Sequence, residues 1–156
     1  MIKNIKIIGA GSIGNHMSHA ARTLGWSVDL CDIDNDALIR TKEDIYPSRY
    51  NSWDEKINLY NLSDAPNGNY DLIIIGTPPD SHISLAIEAI REKPKAILIE
   101  KPICTPNMKD VSIFLDLAKK NSIYVFSGYD HVLGEASEKI CNLLNNRNIN
   151  MPLTMD

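Results

Sequence analysis

The residues with the clearest chemical meaning stand near the amino terminus. Gly9, Gly11 and Gly14 are spaced Gly-x-Gly-x-x-Gly and follow directly on a β-branched apolar run, Ile5, Ile7 and Ile8. A helical pattern, Ile13, Met17, Ala20, Ala21 and Leu24, begins at once. Strand, glycine turn and helix in that order open a dinucleotide-binding βαβ unit. Gly9 permits the tight turn, Gly11 lets a pyrophosphate approach the backbone, and Gly14 lets the helix lie close to the strand. Free N–H groups near Ser12 and Ile13 would face the phosphates, helped by the helix dipole. The alternative is a plain structural turn.

A second chemical group follows at the expected distance. Residues 26–31 read as a strand ending in Asp32-Ile33-Asp34, and Asp32 falls 18 residues after Gly14, against the ~20 expected for an acid that binds the adenosine ribose. Asp32 and its neighbour Ile33 are therefore assigned to that end of the cofactor. A carboxylate there accepts from the ribose hydroxyls and repels a 2′-phosphate. No arginine follows it directly, the nearest being Arg40, so the charge logic favours NAD over NADP. The competing reading is a solvated turn rich in Asp and Asn, which Asp34 or Asp36 would fit better.

These groups need elements to hold them, and the chain supplies a regular alternation. Residues 35 to about 44 read as a helix capped by Asp34 or Asn35, broken by Tyr46-Pro47-Ser48-Arg49-Tyr50. Tyr46, Tyr50, Trp53 and Tyr60 gather where basic residues are sparse, which favours core or rim packing over base stacking. Residues 57–61 fit a short edge strand. Residues 70–76 form a continuous apolar strand of the kind buried on both faces of a parallel sheet. Thr77-Pro78-Pro79-Asp80 ends it where ligands bind in open α/β sheets, and Ser81-His82 opens a helix to about residue 92, with Leu85, Ala86, Ala89 and Ile90 inward.

Residues 95–99 are the next strand, ending in Glu100-Lys101-Pro102. Residues 106 to about 121 read as a helix starting at Pro106, with Val111, Phe114, Leu115 and Ala118 inward. Residues 122–127 make a sixth strand, ending in Gly128-Tyr129-Asp130-His131. A last helix, 135–146, turns Ile140, Leu143 and Leu144 inward, and residues 149–156 begin an extended segment. The expected fold is α/β: a Rossmann-type doubly wound parallel sheet, six strands in order 3-2-1-4-5-6 with helices on both faces.

The totals exclude other classes. With 156 residues, 44% apolar and 23% charged, the chain suits one globular domain. Its net charge of −4 gives no general attraction to nucleic acid or to an anionic membrane. Cys31, Cys104 and Cys141 lie far apart, form no CxxC pair and have no metal-ligand spacing, so they read as reduced buried thiols. His16 and His19 are read as rim residues, not metal ligands. No apolar run approaches the ~20 residues of a membrane span. The sequence enters a strand at once, so no signal peptide is expected and the location is taken as cytoplasmic.

Several strand ends together resemble one family. The glycine turn, the acid after the second strand, Gly76-Thr77-Pro78-Pro79-Asp80-Ser81-His82 and above all Glu100-Lys101-Pro102 resemble the Gfo/Idh/MocA oxidoreductases, along residues 3 to 155. The resemblance implies that Thr77, Pro78 and His82 line the nicotinamide side. It places catalytic Lys101 beside the reacting carbon, its ammonium bonded to the substrate hydroxyl, and gives Glu100 the task of orienting cofactor or loop. Glu100 and Lys101 as a solvated surface pair, and His82 as a helix cap or packed core imidazole, stay open. Asp130 stands where the family commonly has an amide, and no arginine follows.

A typical member has a second domain carrying the substrate pocket and a general acid/base histidine. Residues 1–131 are accordingly expected to be the NAD(P)-binding domain, and 132–156 a closing helix and the start of that second domain. The implied activity is hydride transfer between NAD(H) and a carbinol or carbonyl carbon of a small-molecule polyol, sugar or cyclitol, with a homo-oligomer left open. The alternative is a non-catalytic stand-alone NAD(H)-binding or sensing module that works with a partner chain. Nothing in the spacing gives a metal site.

Overall fold

The structure, a computed structural model, describes residues 4–129 and 134–145. Strands β1 (Asn4–Ile8), β2 (Ser27–Asp32), β3 (Ile57–Asn61), β4 (Leu72–Ile75), β5 (Ala96–Ile99) and β6 (Tyr124–Ser127) form one six-stranded sheet in the order β3-β2-β1-β4-β5-β6. Every pairing is parallel, with Ile7 beside Leu30 and Ile74, and Ile75 beside Ile99. This is the doubly wound order that alternating strands and helices require. The helices are α1 (Ser12–Thr23), α2 (Asn35–Arg40), α3 (Tyr46–Tyr50), α4 (Pro79–Ile90), α5 (Val111–Lys120) and α6 (Glu135–Asn145).

The period of two along each strand divides the core between the faces. Ile5, Ile7, Val28, Leu30 and Ile74 cluster with Ala21 of α1, Leu38 of α2 and Tyr46 of α3. Ile73, Ile75, Ile97 and Ile99 cluster with Ile83 and Ile90 of α4 and Phe114 of α5. Helices thus cover both faces, and all strands end on one edge. Among the described residues no helix is long and apolar enough to cross a membrane.

Four elements differ from their sequence reading. First, α1 buries Gly14, Asn15, Ser18 and Ala21, while Leu24 is 63% exposed. The close approach to β1 admits only small side chains: Ser18 donates to the Gly14 carbonyl (2.7 Å) and Asn15 Nδ2 to the Gly11 carbonyl (2.9 Å), while Asn15 Oδ1 is buried without a partner among the described residues.

Second, the chain does not break at Pro47. A π-helical turn (Thr41–Ile45) joins α2 to α3, and the Tyr46 N–H donates to the Thr41 carbonyl. Proline lacks an N–H and its ring collides with the carbonyl four residues back; the wider turn just before it absorbs both demands.

Third, α5 starts at Val111, not at Pro106. Asn107 accepts from Thr105 Oγ1 (2.8 Å) and Lys109 N (3.1 Å), and Met108 and Asp110 take positive φ, so residues 105–110 are turns. Its inward residues are Phe114 and Ala118, while Leu115 is 50% exposed. Fourth, Cys31 is buried, but Cys104 is only half-buried and Cys141 is exposed. Burial pushes the Cys31 thiol up to about 12. The expected boundary at 131/132 and the extended segment 149–156 lie outside the described residues, as do the side chains of Ile140, Leu143 and Leu144.

One charge lies inside the fold. Lys6, mid-strand on β1, is 2% exposed. Its ammonium meets both Glu92 oxygens at 2.8 Å and stands 4.7 Å from the centre of the Tyr70 ring. Tyr70 in turn donates to Asp29 at 2.6 Å. Burial and that bond raise the Tyr70 phenol above its ordinary range. Lys6→Met should cost about 3–5 kcal/mol in urea unfolding, because it strands the Glu92 carboxylate; adding Glu92→Leu should recover most of the loss.

Candidate functional site

Because the sheet is parallel, the carboxyl ends of all strands, and the loops leaving them, share one edge. The hydrogen-bond ladder runs one residue past the strands and fixes where each loop departs. Gly9 N donates to Cys31 O (2.8 Å), Gly76 N to Ile8 O (2.8 Å), Glu100 N to Ile75 O (2.9 Å) and Gly128 N to Ile99 O (2.8 Å).

The three glycines of the first loop do different work. Gly9 has φ +108°, and a Cβ there would stand 2.8 Å from the Gly76 carbonyl oxygen. A Cβ on Gly14 would fall 1.9 Å from the Gly9 carbonyl oxygen. Both are demanded by protein packing. Gly11 is not: its φ is −78°, open to any residue, and a Cβ there would meet no protein atom within 4 Å. Gly11 also caps α1, which has no side-chain cap and no acid in its first turn. The N–H groups of that turn therefore point, with the positive end of the helix, toward the open side of Gly11.

Asp32 stands beside this turn. Its Oδ2 accepts from Ala10 N (2.7 Å) and its Oδ1 from Asp34 N (3.0 Å). Two bonds leave lone pairs on a carboxylate. Asp32 thus shares a cavity of about 410 Å³ with Gly9, Gly11, Ile33, Thr77 and Pro78. Ile33, 79% exposed, forms its rim, and Arg40 also lines it. The two arginine-free positions after Asp32 thus do not describe the cavity's charge, since α2 brings a guanidinium back to it.

A second cavity, about 370 Å³, opens where Ile13 and His16 of α1 face Glu100, Lys101, Ser127 and Tyr129. Glu100 is buried, its Oε2 accepting from Lys101 N (3.1 Å), whereas Lys101 is exposed. A Cβ on Gly128 would fall 2.6 Å from Glu100 Oε1, so that glycine makes room for the carboxylate. Burial separates Glu100 from a solvated surface pair. The Ser127 hydroxyl is buried and has no partner in the protein. Asp130 and His131 lie outside the described residues.

His82 is fully buried between the two loops. Its Nδ1 lies 2.9 Å from the Pro102 carbonyl and its Nε2 2.6 Å from the Thr77 carbonyl. A neutral imidazole can donate to one of these oxygens and an imidazolium to both. The ring ties the loop after β4 to the loop after β5, the place of a packed core imidazole. No grouping of His, Cys, Asp or Glu among the described residues could hold a metal ion.

Arg49 and Ser127 carry no signal in the sequence. Ser127 reads only as the end of a strand, and Arg49 sits in a segment that reads as a break. In the structure Arg49 donates to the Ser12 carbonyl (3.1 Å) and hydroxyl (2.9 Å), at the mouth of the glycine turn. Gly14→Ala should lower stability by about 1–3 kcal/mol, read as a fall in the melting midpoint, because the colliding atom is backbone and cannot turn aside.

Known proteins share this arrangement. The model of an oxidoreductase family with an NAD-binding Rossmann fold matches residues 3–129. A myo-inositol 2-dehydrogenase of Thermotoga maritima is 22% identical over 153 residues, 95% of this chain and 42% of that protein. The chain thus spans less than half the length of that curated relative. A scyllo-inositol dehydrogenase from Lactobacillus casei, solved with bound NAD(H) and scyllo-inositol, superposes with a TM-score of 0.74 at 14% identity, over 96% of this chain and 43% of that one. A UDP-N-acetylglucosamine 3-dehydrogenase from Acidithiobacillus ferrooxidans gives 0.73 at 16%, over 92% and 42%. These two likenesses concern the fold. With the family model matching through β1 to β6, the chain belongs to the Gfo/Idh/MocA oxidoreductase family, as its NAD-binding Rossmann domain.

Proposed function

We propose that this chain binds NAD(H) across the strand-end edge and forms the cofactor half of an oxidoreductase acting on a carbinol or carbonyl carbon of a polyol, sugar or cyclitol. The observation that carries the reading is Gly11. Packing does not ask for a glycine there, and a ligand lying against the uncapped start of α1 does. The residues present fit a dinucleotide. Gly9, Gly11, Ser12, Ile13 and Gly14 would cradle the diphosphate. Asp32 would accept from the adenosine ribose hydroxyls, with Ile33 against the base. Thr77, Pro78 and Glu100 would border the nicotinamide half. His82 would act from behind, by joining the loops on either side.

The nicotinamide, when bound, supplies the hydride acceptor or donor; the protein places it and excludes side reactions. Lys101 would hold the substrate hydroxyl through its ammonium and ease departure of that proton. The relatives named as inositol and sugar-nucleotide dehydrogenases support the substrate class. The acid at Asp32 supports NAD over NADP.

Isothermal titration of the chain with NADH should show binding. Gly11→Ala should melt as wild type does yet lose that binding, and Asp32→Ala should weaken it about tenfold, the loss of a charge-assisted pair of hydrogen bonds. Wild-type affinity in Gly11→Ala would defeat the reading. For turnover of a complete enzyme containing this chain, assayed with a panel of polyols, Lys101→Ala should cut the rate far more than it cuts NADH affinity; the reverse pattern would make Lys101 a binding residue only.

A further inference from the structure

The segment from α2 to α3 is folded onto the glycine turn and α1 at three points. Thr41, in the π-helical turn, donates to the Ala10 carbonyl and accepts from Asn15 Nδ2 at 3.2 Å. Tyr50 stacks on His19 of α1 with ring centres 3.6 Å apart and planes 5° off parallel, and Tyr46 meets the same ring edge-on at 5.9 Å. Arg49, between those tyrosines, reaches Ser12. The π-helical turn sets this phase. The inward positions step by five from Thr41 to Tyr46 and by four to Tyr50, whereas an uninterrupted α-helix would turn ~100° more over that span and bring Ile45 inward in place of Tyr46.

We propose that Arg49 is the side chain that holds the cofactor's diphosphate, completing with a full positive charge the site that α1 begins with its N–H groups. The proposal rests on the dinucleotide reading above. A guanidinium has five N–H donors. Two are used on Ser12, which leaves three to meet phosphate oxygens. The Ser12 hydroxyl oxygen accepts from Arg49, so its own hydrogen is left to donate. The cations held in ion pairs among the described residues are Lys6, Arg22, Lys42, Lys95 and Lys139, so no carboxylate among the described residues neutralises Arg49. An unpaired guanidinium beside an uncapped helix start is arranged for an anion. Diphosphate rather than free phosphate is the ligand because Gly11, the residue before Ser12, shares its cavity with Asp32; Arg40 lines that cavity, and Arg49 reaches the turn through Ser12.

The test is titration of the whole chain with NADH and with ADP-ribose, which shares the diphosphate and lacks the nicotinamide, at several NaCl concentrations. Arg49→Gln should weaken both ligands about tenfold and flatten the dependence on salt, since one fewer charge is screened. Arg49→Lys should keep most of the affinity and the salt slope. An Arg49→Gln chain that binds both ligands as wild type does, or that binds them more weakly with the salt slope unchanged, overturns the proposal and leaves the dinucleotide reading standing. A folded wild-type chain that binds neither ligand overturns both. Should Arg49→Gln fail to fold, Arg49→Met, which keeps the stem and removes the charge, is read the same way: weaker binding of both ligands with a flatter salt dependence supports the clamp, and unchanged binding overturns it.

Discussion

The structure depends on one approach of backbone to backbone. The α-carbon of Gly14 lies so near the Gly9 carbonyl that no side chain of any size fits between them, and Gly9 itself is held against Gly76. This contact sets the start of α1 directly above the ends of β1 and β4. Everything the site can do follows from that placement, because it turns a set of unbonded N–H groups toward the edge where the strand-end loops gather. A longer turn would fold equally well as a sheet and would aim those groups elsewhere.

Much of this was legible in the chain. Six apolar segments alternating with helical ones left few topologies open, since right-handed crossovers and the glycine turn together dictate the strand order. The glycine spacing and Asp32 were legible for the same reason: each does its work within a short stretch of chain. What stayed hidden depends on partners far away in sequence. The polar inward face of α1 violates the usual apolar stripe, and only the bonds to Gly11, Gly14 and Thr41 make it tolerable. Lys6 could be buried in β1 because Glu92, eighty-six positions later, meets both sides of its charge. Pro47 reads as a break under local rules, and the π-helical turn ahead of it cancels that rule.

The two cavities are made stiff by different means. Around Asp32 the groups are backbone donors and a carboxylate, so the geometry is fixed by the chain trace itself. Around Glu100 and Lys101 it is fixed by side chains. His82 spans the loops after β4 and β5 from beneath, and Gly128 yields its side-chain space to the Glu100 carboxylate. The first arrangement admits no side chain at Gly9 or Gly14. The second would tolerate changes in the loops as long as His82 and Gly128 remain.

Glu100 and Lys101 also show why adjacency in sequence says little about shared environment. Their neighbouring positions at the end of β5 send one side chain inward and the other out. The carboxylate accepts from the very peptide N–H that begins Lys101, so it braces the lysine's backbone while leaving its ammonium free to move. Under the role proposed for Lys101, its charge would need both properties: a fixed origin, so that it is on the correct side of the edge, and a flexible stem, so that it can follow a bound hydroxyl. The Ser127 hydroxyl on the same wall is buried and without a protein partner among the described residues, so its hydrogen-bond needs remain for a ligand or a water to meet.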